Sequence, residues 1–159
     1  MSIMKVFCFF YGLLSMMASY GHSPLVVYYE PAVISVDGVL ETHIFPGPPN
    51  YENIVEGDKP EKCFYLRLDR MINDVIPDPK ETYSWEAERD IEIMQLSLRA
   101  RPELFGNGDH VRLTGSLYQG FNAHHHTRVL MSVDKVEVLI RAKGQVLPPL
   151  EELRDGMLE

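Results

Sequence analysis

Apolar and polar positions alternate in five blocks of this chain, and β-branched residues dominate the apolar set. The first block runs from Pro31 to Phe45 and is interrupted by Asp37-Gly38, which predicts a long strand that bends at Gly38. Residues 46–61 then hold three prolines in the stretch Pro46 to Glu52 and close with Gly57-Asp58-Lys59-Pro60, so a long irregular loop is expected there. A second strand is predicted over Cys63 to Leu68. Residues 69–92 carry eight acidic side chains and read as a solvated excursion, with a helical turn at Ser84 to Arg89.

Ile91 to Leu98 forms the third strand. Arg99 to Phe105 is expected to make one or two helical turns, ended by Gly106-Asn-Gly-Asp109. His110 to Leu117 and Arg128 to Leu139 complete a final pair of strands, the former bending at Gly115. Residues 141–159 form an acidic tail with Pro148-Pro149 and are expected to fray. Five strands with a short helical connection before the last hairpin predict a mainly β protein, a small five-stranded OB-like barrel; a β-sandwich is the alternative.

The N-terminus changes the domain count. One charge at Lys5 precedes an apolar run to Ala18 and small residues at Ser19 and Gly21, the pattern of a signal peptide over 1–21. The run falls short of the about 20 apolar residues that span a bilayer. The expected division is a signal at 1–21, one domain at 22–140 and the tail at 141–159. Removing the signal takes Cys8 away and leaves Cys63 alone, read as a buried small hydrophobe within a strand.

Charge narrows the partners. The chain carries 15 basic and 23 acidic residues, a net charge of −8, and no basic patch, which argues against nucleic acid. There is no Gly-x-Ser-x-Gly elbow, phosphate loop, His-Glu-x-x-His or Cys-x-x-Cys pair. No catalytic residue and no cofactor is therefore assigned, and a non-catalytic protein is expected; metal-activated hydrolysis at the histidines is the enzymatic alternative.

Two segments carry candidate chemistry. In Ala123-His124-His-His126-Thr127, alternate imidazoles of an extended backbone share a side. His124 and His126 therefore form a candidate Zn²⁺ or Cu²⁺ pair, with His110, His43, His22 or a carboxylate as further ligands. The second segment, Phe45, Pro46, Gly47, Pro48, Pro49, Asn50 and Tyr51, is a stiff loop able to present an aromatic ring and an amide to a partner.

Tyr28-Tyr-Glu-Pro31, Gly38-x-Leu40-Glu41, Phe45-Pro-Gly-Pro-Pro-Asn-Tyr-Glu52, Gly57-Asp58, Leu66-x-Leu68-Asp69 and Gly115-x-Leu117, followed by His124-His-His126-x-x-Val129-Leu130, together resemble an uncharacterised family of exported bacterial proteins, a domain of unknown function. The resemblance spans about residues 27–139. It implies an envelope or secreted setting and carries over no activity. Relatives often hold cysteines before the Tyr-Glu-Pro element and after the second strand; here those regions read Val26-Val27 and Ile72-Asn73, so that disulfide is absent. The expectation is a periplasmic or secreted binding module for an envelope protein or glycan, possible inhibitor or immunity roles included. A periplasmic Zn or Cu binder using His124 and His126 is the alternative.

Overall fold

A computed structural model describes residues 23–82, 84–98 and 106–144. The expected signal at 1–21, His22, the helical turns at 99–105 and residues 145–159 lie outside the described residues. The described chain is mainly β, with six strands: β1 (Val26–Tyr28), β2 (Val33–Pro46), β3 (Pro60–Ile76), β4 (Glu88–Leu98), β5 (His110–Gln119) and β6 (Val129–Ile140). A 3₁₀ turn at Ile54–Glu56 interrupts the loop between β2 and β3. No helix among the described residues is long and apolar enough to cross a membrane.

All strands join one mixed sheet in the order β1-β3-β2-β5-β6-β4, and β3 also pairs β4. Neighbours are antiparallel except β1 with β3 and β4 with β6. β2 changes partners midway: Val33 to Val39 pair with β5, and Gly38 to Pro46 pair with β3. Gly38 sits at the exchange because a Cβ there would lie 2.3 Å from the Arg67 carbonyl oxygen. The bend expected at Gly115 coincides with a register shift between β5 and β6.

Alternation sets which side chains point inward. Leu40, Leu66, Ile72, Met94, Leu113, Leu117 and Met131 are among the fully buried residues, and Tyr29 joins them from the turn after β1. Cys63 is buried on β3, as its strand context predicts, and burial, reinforced by Glu61, pushes its thiol pKa up.

Three elements differ from the sequence expectation. β3 continues to Ile76 instead of stopping at Leu68, so the first third of the expected acidic excursion is strand. Its polar residues lie outward and are matched there: Asp69 meets His110 at 2.7 Å and Asp74 meets Arg89 at 3.3 Å. Ser84 to Arg89 contains no helical turn; β4 begins at Glu88 and pairs Val75. The short β1 was not anticipated; it pairs the end of β3, beyond the point where β2 has diverged. At the other terminus, Arg141 and Ala142 are pinned: both donate to the buried Asp109 carboxylate, at 2.8 and 2.9 Å.

Candidate functional site

The proline loop is a rigid body built on one carboxylate. Asp58 accepts the backbone N–H groups of Asn50, Glu52 and Asn53 at 2.7–2.8 Å. Those three donors, Asn53 first, hold its carboxyl below the ordinary range. Across the loop base, Gly47 donates to the Lys59 carbonyl at 2.7 Å and Lys59 to that of Pro48 at 2.9 Å. The loop closes with Tyr51 at φ 61, in the left-handed region that few non-glycine residues occupy.

The histidine loop, between β5 and β6, hangs on a buried side chain of β4. Gln95 donates its amide to the His124 carbonyl and accepts the His126 N–H, each at 2.7 Å. Its own backbone N–H is taken by the Thr127 hydroxyl at 3.0 Å. A glutamine inside a strand-like run gives no signal of this role in the sequence.

The two loops meet. His124 Nδ1 lies 2.8 and 2.9 Å from the Glu61 carboxylate oxygens, and its Nε2 lies 2.9 Å from the Tyr51 hydroxyl. With the neutral ring, Nδ1–H donates to Glu61 and Nε2 accepts from Tyr51; the protonated ring donates to both. His126 stacks on Phe45, with ring centroids 3.8 Å apart and planes 11° from parallel. Phe45 continues the row to Tyr65 and His43, which meet edge-on at 4.9 Å. Tyr65 is buried, its hydroxyl has no hydrogen-bond partner among the described residues, and burial raises its pKa to about 12.

The expected metal ligands are therefore distributed. His124 and His126 both face the proline loop but engage different residues of it. His110 is held by Asp69 and His43 by Glu41 at 3.2 Å. Among the described residues, no three His, Cys, Asp or Glu side chains group to hold a metal. Asn50 and the prolines give shape to the loop, whereas Phe45 and Tyr51 make its contacts with the histidines. Glu61, Gln95 and Phe121 were not anticipated as site residues.

Residues 93–137 match a domain of unknown function (DUF4431). The matched stretch runs from mid β4 through the histidine loop into β6 and does not include the proline loop. No curated protein and no solved structure matches the chain.

His125 gives the site a pH response. Its Nδ1 accepts the Phe121 N–H at 3.1 Å, which requires an unprotonated nitrogen, and its ring meets Phe121 edge-on at 4.7 Å. Burial, then the neighbouring His124 and His126, lower its pKa. The unfolded chain therefore binds the proton more readily. The stability supplied by neutral His125 is complete above about pH 6.5 and is lost as pH falls from there through the folded value. In amide-exchange NMR, the protection factor of Phe121 is expected to drop across that window in the native protein but not in His125→Phe. A protection factor independent of pH would refute the assignment.

Proposed function

We propose that this protein is an exported, non-catalytic binding module whose joined proline and histidine loops seat an envelope partner. The observation that carries the reading is the convergence of loops from two separate hairpins, held by Tyr51, His124 and Glu61 and by the Phe45–His126 stack. Linking both loops before binding reduces the ordering cost that a partner would otherwise meet.

An OB-like barrel is our reading of the architecture. Its support is the closed run of pairings β3-β2-β5-β6-β4-β3, in which the final parallel contact joins β4 to β6. In OB folds, the loops after the first and fourth barrel strands serve ligand binding, and here these are the proline and histidine loops. A protein is favoured over a glycan because large apolar groups are exposed on these loops and the adjoining strand: Phe121 is 77% exposed, Val55 94% and Ile44 58%. The net charge of −8 favours a basic partner. A metal ion at His124 would have to displace Glu61 or Tyr51, which places the Zn or Cu reading second.

Replacing Phe121 with the photo-crosslinker p-benzoylphenylalanine tests the reading in the exporting cell. Irradiation is expected to yield a discrete adduct at Phe121 and none from the same group at Ile140, the far end of β6. Absence of an adduct, or identical adducts at both positions, would overturn it. Intact mass of the recovered protein checks the expected export cut after Gly21.

A further inference from the structure

β4 is paired on both sides over only part of its length. On the side of β6 the ladder covers Gln95 to Leu98, because β6 begins at Val129 and pairs Gln95 through Leu130. From Glu88 to Met94 the strand pairs β3 alone, so its other edge is open among the described residues. Two side chains bound that opening. Thr127 takes the Gln95 N–H at one end, and the Arg128 guanidinium reaches the Arg89 carbonyl at 3.3 Å at the other. Between them lies a cleft of about 320 Å³, walled by Asp90 to Ile93 on one side and His126 to Val129 on the other. His126, Thr127 and Arg128 also line a second cleft, together with Phe121 and His125.

The chemistry of the edge is acidic. Asp90 and Glu92 are exposed on either side of the buried Ile91, and neither forms an ion pair among the described residues. The basic groups nearby are engaged: Arg128 binds Glu88 at 2.8 Å, Arg89 binds Asp74, and Arg67, on β3 beside Glu92 and sensing its charge, binds Glu41 at 2.6 Å. Natural sheet edges are guarded against indiscriminate pairing by charged side chains, proline, bulges or a covering element. The guard here is a pair of carboxylates two residues apart, which repels a like-charged strand and whose spacing basic side chains at alternate positions of an added strand can match. Asp90 also sits at φ 53, a left-handed conformation that Asp tolerates better than most residues.

We infer that the open edge of β4 takes an extended segment of a protein partner by strand addition, with lysine or arginine at alternate positions facing Asp90 and Glu92. Main-chain hydrogen bonds then supply affinity and the two carboxylates supply selection. The like charges along the edge also oppose pairing between two copies of this chain. The inference rests on the partner-binding reading above and adds how part of that partner lies: in line with β6, its end directed toward Phe121.

The test uses a capped peptide, Thr-Lys-Val-Arg-Val-Lys-Thr, and its counterpart with glutamate in place of each basic residue, each added up to about 1 mM, the weak end of specific recognition. Hydrogen exchange of the full protein is followed residue by residue. The basic peptide is expected to protect amides within Asp90–Met94 selectively, and the acidic one to leave them unchanged. Charge reversal in the double variant Asp90→Lys, Glu92→Lys should weaken the basic peptide at least tenfold, with protection of the β5–β6 ladder confirming an intact fold. Backbone N-methylation of the peptide at its central valine should reduce binding without altering its charge. No protection at this edge, or equal protection by both peptides, would overturn the inference. A Phe121 cross-link that persists while the edge stays unprotected would leave the partner-binding reading standing and remove this one alone.

Discussion

Gly115→Ala is expected to destabilise the protein by about 3–4 kcal/mol, the range of severe overpacking. A Cβ at this position would lie 2.0 Å from the Ser132 carbonyl oxygen and 3.1 Å from the Val133 Cα. Both are backbone atoms of the paired strand, so no side-chain rotation relieves the clash, and β5 and β6 must separate by more than an ångström. They touch at the register shift between Thr114 and Gly115, where the ladder has little slack. Conformational strain is not the cause, since Gly115 is not among the left-handed glycines. Gly144→Ala provides the contrast: φ is 91 but nothing lies within 4 Å, and the expected cost is about 1 kcal/mol. Urea melts of the two variants compare steric and conformational effects directly. A loss at Gly115 no greater than that at Gly144 would show that the strands part easily.

Asp109→Ala comes second, with an expected loss of about 2–4 kcal/mol. The carboxylate is fully buried and accepts from Arg141, the Ala142 N–H and the Gly106 N–H. Its backbone carbonyl accepts the Leu40 N–H at 2.8 Å, so one residue ties the β4–β5 turn to β2 and to the segment after β6. Truncation strands the Gly106 and Ala142 amide donors and takes the Asp109 partner from a guanidinium that is 30% exposed and reached by water, which keeps the cost below that of a sealed ion pair. Asp109→Asn retains one acceptor and is expected to lose about half as much. Chemical denaturation with retained far-ultraviolet dichroism measures both. A change below about 1 kcal/mol for the alanine variant would mean that solvent replaces the carboxylate.

Much of the sheet was legible because its strands alternate. β2, β5 and β6 carry runs of alternating apolar residues, such as Val111, Leu113 and Leu117 about Gly115, and both glycine bends fall within these strands. The second half of β3 was hidden by composition. Asp69, Arg70, Asn73 and Asp74 suggested solvent, whereas Ile72 and Val75 beside them are fully buried and both aspartates find cross-strand partners. β1 is only three residues long and gains its place from a parallel contact with distant chain, a relation that no local pattern encodes.

The site divides the same way. Both loops were recognisable from their residues, the proline run and the triple histidine. Their meeting was not, because it depends on β3 and β4 placing Glu61 and Gln95 against a loop some 30–60 residues later in the chain. Extended-strand geometry suggested that His124 and His126 share a ligand. The turn at Ala123-His124 separates them instead, sending one ring to Tyr51 and the other to Phe45.

The partner exchange of β2 at Gly38 also governs timing. Its later half can zip to β3 as a hairpin soon after both are synthesised, but Val33 waits for Ser116, most of the chain away. Sheets dominated by such distant pairings fold over milliseconds to seconds. Until β5 emerges, the first half of β2 remains unzipped and the core unsealed. A precursor that crosses a membrane as an extended thread, as the export reading requires, would thus stay threadable through most of its own synthesis.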